Sequence, residues 1–297
     1  MQHRDMKKEY TYRDSHKYPS KGTEYEAYYE AQPWQRFLWS REREIILRIL
    51  EKYFAHQDIH LLDFACGTGR ITSFLEDRVK TSTGVDVSSP MLAMAREKLK
   101  RTEIIEADIT IDDVLKGRKF NLITAFRFFV NAEPALRSAA IKALVKLLSE
   151  DGYFVFNNHQ SYGSPWIKLL YMRHQQKNPK GIFNIMTIDE MKKFVEGVGM
   201  KIVELYPVGF FHPPKIAVPQ MVTAVTENVC CKFKSLAQFS ESPIAVCRKK
   251  TPRGTCKNPA INRGAKRLAP QFIGGLFCRW TGFRRGGLSA GAIQRSR

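Results

Sequence analysis

Short apolar stretches alternate with longer amphipathic segments along most of this chain. The stretch Ile59–Ala65 has the length of a buried strand, and Gly69–Val79 follows with apolar residues at helical spacing. Short strands that alternate with helices in this way predict βαβ units and a parallel sheet. The other predicted strands are Ser82–Val87, Thr102–Glu106, Phe120–Phe126, Tyr153–Phe156, Lys201–Phe211 and Pro243–Arg248. We therefore predict an α/β fold in which a doubly wound, seven-stranded sheet carries helices on both faces.

Helix signals fill the intervals between these strands. Ser89-Pro90 is typical of a helix start, and Thr187 with Glu190 three residues later forms a capping-box pattern. The predicted helices outside Gly69–Val79 are Arg41–Phe54, the segment after Ser89, Glu133–Leu148, Pro165–His174, Thr187–Gly197 and Val218–Lys234.

The first strand ends in an acidic residue and is followed by a loop of small residues. Asp63 stands near the end of the strand, and Ala65, Gly67 and Gly69 follow at intervals of two. Asp86 ends the next strand, 23 residues after Asp63. A strand, a tight turn and a helix N-terminus bring backbone N–H groups close to a bound ligand, and an acid about 20 residues later can accept ribose hydroxyls.

The spacing of the small residues argues against a dinucleotide. The dinucleotide fingerprint G-x-G-x-x-G requires a third glycine where this chain has Thr72. A carboxylate at Asp63 would also repel a pyrophosphate, whereas it would attract an ammonium group. A nicotinamide oxidoreductase is therefore disfavoured.

The motif D-x-A-C-G-T-G, followed by G-V-D-V-S, resembles the Rossmann-like, class I S-adenosylmethionine-dependent methyltransferases. Ala65 departs from their usual glycine, and the resemblance covers roughly residues 24–250. It implies an antiparallel last strand, S-adenosylmethionine as cofactor, and an ammonium anchor at Asp63. It also implies that Asp86 accepts the ribose hydroxyls. The remaining residues implied to bind the cofactor are the loop residues Ala65, Cys66, Gly67 and Gly69, the adenine neighbours Val87, Met91, Asp108 and Ile109, and Phe126 on the methionine side.

Three residues after the fourth and fifth strands are candidates for catalysis. His159 is the candidate base, because it follows the fifth strand at the edge where ligands bind in such sheets. A solvated loop histidine is the alternative, and His212 is a weaker candidate. Arg127 lies in an apolar run where an unpaired charge is costly to bury, so we expect Arg127 or Asn131 to orient the acceptor or the cofactor carboxylate. A structural salt bridge is the alternative for Arg127.

Positive charge is concentrated at the end of the chain. The 48 Lys and Arg exceed the 29 Asp and Glu by 19, yet no acid occurs from Ser242 onward, where 13 of the basic residues lie. We therefore predict a flexible N-terminal arm at 1–23, a methyltransferase domain at 24–250 and a disordered basic tail at 251–297. The tail has two interpretations, an arm that binds nucleic acid and a segment that was never selected to fold.

The remaining composition indicates a cytoplasmic protein. No apolar run is long enough to cross a membrane, and the N-terminal residues lack the apolar stretch of a secretory signal. The six cysteines include no C-x-x-C pair, which supports neither a metal site nor a disulfide framework.

The sequence thus predicts methyl transfer from S-adenosylmethionine to an acceptor, taken to be a small molecule. Two alternatives remain: an RNA methyltransferase tethered by the basic tail, and a non-catalytic module that binds the cofactor. Residues 159–186 are the expected substrate lid. The aromatic-rich stretch Tyr25–Trp39 leads into the helix before the first strand; the resemblance implies that such a helix helps to roof the cofactor, and covering the sheet edge is the alternative. The identity of the acceptor depends on Tyr25–Trp39, Arg127, Asn131 and the stretch after His159.

Overall fold

Seven strands form one sheet in the computed structural model, which describes residues 12–177, 185–210 and 220–250. The strands are His60–Phe64 (β1), Thr81–Asp86 (β2), Glu103–Glu106 (β3), Phe120–Ala125 (β4), Leu148–Asn157 (β5), Met200–Tyr206 (β6) and Ile244–Lys249 (β7). Their order across the sheet is β3-β2-β1-β4-β5-β7-β6. β1 to β5 pair in parallel, and β7 runs antiparallel to both β5 and β6. This topology confirms the predicted doubly wound, mostly parallel sheet with an antiparallel last strand.

Helices cover both faces of this sheet. They are Lys21–Ala31 (α1), Pro33–Phe54 (α2), Arg70–Leu75 (α3), Ser89–Lys98 (α4), Pro134–Leu147 (α5), Pro165–Lys177 (α6), Ile188–Glu196 (α7) and Gln220–Cys230 (α8). Short 3-10 helices occur at Asp14–His16 and Lys234–Phe239. None of the helices within the described ranges is both long and apolar enough to cross a membrane.

Two hydrophobic cores lie on opposite faces of the sheet. Successive residues of a strand point to opposite faces, so Leu61 of β1 belongs to one core and Leu62 to the other. The core on the Leu61 face includes the apolar residues of α2, and the core on the Leu62 face includes those of α5 and α7. Burial on both faces explains why the central strands are continuous apolar runs rather than alternating ones.

Helix starts follow the capping signals in the sequence. The Thr187 hydroxyl accepts the backbone N–H of Glu190, and the Glu190 carboxylate accepts that of Thr187, which completes the capping box of α7. At α4 the N-cap is Ser88, one residue before the predicted Ser89, because its side chain accepts the backbone N–H of Met91.

Residues 12–23 of the predicted N-terminal arm lie within the described part of the chain. Residues 12–16 pack against the sheet edge, where the Tyr12 backbone N–H donates to Glu133 and the Ser88 hydroxyl donates to the backbone of His16. α1 begins at Lys21, so helical structure starts inside the arm predicted for 1–23. Contacts between residues far apart in the chain hold this segment, and periodicity within it could not reveal them.

Four segments lie outside the described residues: 1–11, 178–184, 211–219 and 251–297. These segments include the predicted tail, His212, part of the predicted lid and the first residues of the helix predicted at Val218–Lys234, which therefore lie outside the described residues.

Candidate functional site

The carboxyl ends of the parallel strands surround a cavity of about 350 Å³. Strand order reverses between β1 and β4, and such switch points are where open α/β sheets bind ligands. Asp63 of β1, Asp86 of β2, Arg127 after β4 and His159 after β5 all line it. The fold thus brings together residues that are up to 96 positions apart in the sequence.

The small-residue loop adopts left-handed backbone conformations at three positions. The φ angles are +54° at Ala65, +56° at Gly67 and +76° at Gly69. A Cβ on Gly67 would lie 3.0 Å from Met91 Cε, so this glycine also permits close packing on α4. Ala65 takes the left-handed conformation although it has a Cβ, which costs roughly 1–2 kcal/mol and explains why a glycine is usual at this position.

Asp63 is buried at the base of the cavity. Its carboxylate accepts the hydroxyls of Thr72 at 2.5 Å and Thr124 at 2.7 Å, one on each oxygen. Burial raises the pKa of Asp63 to about 6, against the lowering effect of the two hydroxyl bonds. Each oxygen keeps a further lone pair for a ligand, so the carboxylate can still meet a cationic group in the cavity.

Asp86 ties the loop to the end of β2. Its Oδ2 accepts the Gly67 N–H at 2.8 Å, and its Oδ1 accepts the Ser88 N–H at 2.9 Å. Burial raises the pKa of Asp86, while these backbone donors oppose the shift. Backbone donors therefore hold the carboxylate in one orientation, and it keeps acceptor capacity for a ligand.

A second, smaller pocket of about 40 Å³ adjoins the first beside Asp86. Val87 and Asp108 line it from the sheet side, and Tyr12, Arg13 and His16 line it from the N-terminal segment. Arg13 Nε lies 2.6 Å from Asp108 Oδ2, so the acid expected to face adenine is already paired. Burial would raise the pKa of Asp108, but the Thr110 hydrogen bonds and Arg13 lower it.

α1 and α2 roof the cavity with aromatic and charged side chains. Glu42 of α2 is fully buried, and its Oε2 accepts Nη1 of Arg70 at 2.8 Å. Its Oε1 accepts the side-chain amide of Asn157 at 3.3 Å. The guanidinium groups of Arg70 and Arg127 both lie over the Tyr29 ring, at 5.2 and 4.7 Å from its centroid. The roof thus joins the helices before β1 to the loops that follow β1 and β4.

Arg127 has a strained backbone that two asparagines hold in place. Its φ is +62°, its N–H donates to Asn157 Oδ1 at 2.6 Å, and its carbonyl accepts Asn131 Nδ2 at 2.6 Å. Its side chain donates from Nη1 to Gln35 at 2.9 Å. Asn131 lines the cavity and also positions Arg127, a contact that the sequence pattern did not indicate.

His159 lies after β5 in the cavity wall and is 8% exposed. This burial differs from the solvated loop histidine that was the alternative at this position. Its neighbour Gln160 has a φ of +58° and lines the same cavity.

Most of the predicted site residues meet at these two pockets. Cys66, Met91 and Phe126 line the larger cavity, while Ala65 and Asp86 line both. Gly69 and Ile109 line neither: Gly69 is the N-cap of α3, and Ile109 belongs to the hydrophobic core. Three residues that line the larger cavity, Gln160, Ile167 and Leu170, belong to the predicted lid, and Gln35 lies in the aromatic-rich stretch Tyr25–Trp39. Sequence analysis assigned no role in the site to the other lining residues Tyr12, His16, Thr68, Arg70, Ile71 and Glu241.

Comparison with known proteins agrees with this geometry. Residues 61–152 match the family model of a methyltransferase domain. The chain resembles the class I methyltransferases. The matched residues include the glycine loop and the G-V-D-V-S strand, so the match confirms the resemblance to methyltransferases that these motifs indicated.

Individual relatives of the chain are also methyltransferases, and each alignment covers only part of both proteins. The uncharacterized methyltransferase YrrT of Bacillus subtilis is 31% identical over 120 residues, which are 38% of this chain and 56% of YrrT. The malonyl-[acyl-carrier protein] O-methyltransferase of Acetivibrio thermocellus is 26% identical over 104 residues, 33% of this chain and 35% of the relative. The chain thus spans about half or less of the length of these curated relatives.

A solved methyltransferase structure shows that the likeness of fold reaches further. The magnesium protoporphyrin IX methyltransferase of Synechocystis PCC 6803, with bound SAH, superposes with a TM-score of 0.55 at 12% identity. The match covers 78% of this chain and 96% of that one. The methyltransferase fold therefore includes the strands beyond residue 152, although an identity this low speaks for the fold alone.

Proposed function

We propose that the chain transfers a methyl group from S-adenosylmethionine to a small-molecule acceptor. The observation that carries this proposal is the placement of Asp63 and Asp86 at the ends of adjacent parallel strands, facing one cavity across the left-handed loop. We take residues 24–250 as the methyltransferase domain.

The cavity fits the cofactor in its charge pattern. Asp63 meets the amino-acid ammonium, and Asp86 accepts the ribose hydroxyls with the acceptor capacity that its backbone donors leave open. Thr68 Oγ1 is buried at the cavity and finds no hydrogen-bond partner among the described residues, so it has a donor to offer. Val87, Met91 and Asp108 surround the adenine, and Cys66 and Phe126 complete the wall.

The reaction asks for little acid–base chemistry from the protein. When bound, S-adenosylmethionine supplies a methyl group on a positively charged sulfur, which is an activated leaving group. The chain contributes alignment of the acceptor atom with that methyl group, and a roof that excludes water. His159 takes a proton from the acceptor where the acceptor must lose one, and Asn131 holds the Arg127 backbone at the same wall.

A methyl-transfer assay tests the proposal. It measures transfer of a radiolabelled methyl group to a panel of small acids, alcohols and amines, and in parallel to a mixed RNA sample. Label should reach at least one small molecule and should fall by tenfold or more in the Asp86→Asn variant. Label on RNA alone would favour the tethered RNA enzyme. Binding of S-adenosylhomocysteine without transfer to any acceptor would favour the non-catalytic module.

A further inference from the structure

The guanidinium group of Arg127 is buried with most of its hydrogen-bonding capacity unused. An arginine side chain offers five N–H donors in a planar arrangement. Here Nη1 donates to Gln35 Oε1 at 2.9 Å and the cation faces the Tyr29 ring. Nε and Nη2 are both shielded from solvent and find no hydrogen-bond acceptor among the described residues. Buried donors without acceptors are costly, so they need an explanation.

Glu42 does not supply the missing acceptor. Its Oε1 lies 3.9 Å from Arg127 Nη2, which is beyond hydrogen-bond distance. The same carboxylate is already engaged by Arg70 at 2.8 Å and by Asn157 at 3.3 Å. One buried carboxylate therefore lies near two guanidinium groups but hydrogen-bonds only that of Arg70, and Arg127 is left with open donors.

The two open donors share one edge of the guanidinium plane. Nε–H and one N–H of Nη2 point in the same direction and match the two oxygens of a carboxylate. Arg127 itself is 9% exposed and lines the cavity. Its backbone is held at a φ of +62° by Asn157 and Asn131, and such strained residues cluster at functional sites.

We propose that the Nε–Nη2 edge of Arg127 binds one carboxylate group of a small molecule in the cavity. The proposal rests on the proposed function, because the molecule is either the cofactor, through its amino-acid carboxylate, or the methyl acceptor. A cavity of about 350 Å³ is at the small end of ligand sites and therefore suits the carboxylate of a compact ligand. Arg127 is then a residue that determines ligand specificity.

Calorimetry on the native full chain with matched ligands distinguishes the two sources. The first arm compares S-adenosylhomocysteine with its analogue that lacks only the carboxylate, the 3-aminopropyl thioether of adenosine. The second arm compares malonate with the uncharged malonamide in the presence of saturating S-adenosylhomocysteine. We expect the carboxylate to improve affinity by about 10- to 100-fold in one of the two arms.

Variants then assign that preference to Arg127. In Arg127→Gln the carboxylate preference should disappear, and in Arg127→Lys, which keeps the charge but loses the planar edge, it should fall by about tenfold. Arg101→Gln is the matched control, because Arg101 is a surface residue whose side chain is 55% exposed and forms a surface ion pair with Asp77. Thermal unfolding of each variant checks that the fold is retained, and the native-protein arms do not depend on any variant.

Equal affinities within both ligand pairs on the native protein would overturn the proposal, and so would a preference that survives in folded Arg127→Gln. Failure of S-adenosylhomocysteine to bind at all would contradict the proposed function instead. The malonate comparison on the protein alone would then decide the inference about Arg127.

Discussion

The buried surroundings of the Asp63 carboxyl group favour its neutral form when no cation is bound. Burial raises its pKa to about 6, against an unperturbed value of 3.8. In the unliganded protein its contribution to stability is present below pH 3.8 and is lost as the pH rises through 6, because ionisation favours the unfolded state. A bound ammonium would reverse this preference, so cofactor binding and Asp63 ionisation are linked.

We therefore predict that the affinity for S-adenosylhomocysteine falls as the pH falls through about 6. Well below that pH the dissociation constant should rise by about tenfold per pH unit, because only the ionised Asp63 meets the ammonium. Calorimetric titration between pH 5 and 8 measures this. In Asp63→Asn binding should be weak and nearly independent of pH, and an unchanged pH profile in that variant would show that Asp63 does not cause the dependence.

The elements before β1 contribute to the two pockets as well as covering the sheet. α2 carries Glu42 into the roof of the cavity, where it pairs with Arg70 and accepts a bond from Asn157. Residues 12–16 close the small pocket through the Arg13–Asp108 pair. Both elements are therefore expected to influence ligand binding as well as stability.

Glu42→Gln should destabilise the protein by about 3–5 kcal/mol, because it leaves the buried guanidinium groups without their shared carboxylate. Glu44→Gln, two residues along the same helix, is the matched control. The Glu44 side chain is 49% exposed and makes a surface pair with Arg41, so its loss should change stability by less than about 1 kcal/mol. Urea unfolding of both variants measures the difference, and similar losses in the two would show that the roof pairing is not stabilising.

Arg13→Gln should speed cofactor association by about two- to fivefold, the range expected for a partly exposed ion pair. The pocket of about 40 Å³ beside Asp108 is too small for an adenine, so residues 12–16 must move for binding, and the Arg13–Asp108 pair resists that movement. Stopped-flow binding of S-adenosylhomocysteine checks the rate, with Arg101→Gln as control. An association rate that is unchanged or lower in Arg13→Gln would mean that this pair does not hold the pocket closed.

At the scale of the whole molecule, local sequence signals were sufficient to predict the sheet but revealed only part of the site. The central strands were visible because burial on both faces favours apolar residues in them, and Asp63 and Asp86 were visible as acids at or next to the ends of two strands. A roof by the helix before β1 was one interpretation of the sequence, but the side-chain contacts of the roof were not visible. Its contacts join residues as distant as Trp34 and Glu241, whose side chains are hydrogen-bonded at 3.2 Å, and no periodicity records them.

Pairing between strands also moved one predicted boundary. The fifth strand was predicted at Tyr153–Phe156, after the turn residues Asp151-Gly152, but β5 already begins at Leu148. Leu148 pairs with Phe120 of β4, and the register shifts before Tyr153 pairs with Leu122. The Asp-Gly pair thus lies in an irregular part of the strand, because pairing with a neighbouring strand outweighed the local preference for a turn.

The central claim is that this cavity binds S-adenosylmethionine and not a dinucleotide. Calorimetric titration of the full chain with S-adenosylhomocysteine and, separately, with NADH tests it most directly. Saturable binding of S-adenosylhomocysteine, weakened by tenfold or more in Asp86→Asn, together with no binding of NADH, is the predicted result. Binding of NADH without S-adenosylhomocysteine, or an affinity for S-adenosylhomocysteine that Asp86→Asn leaves unchanged, would contradict it.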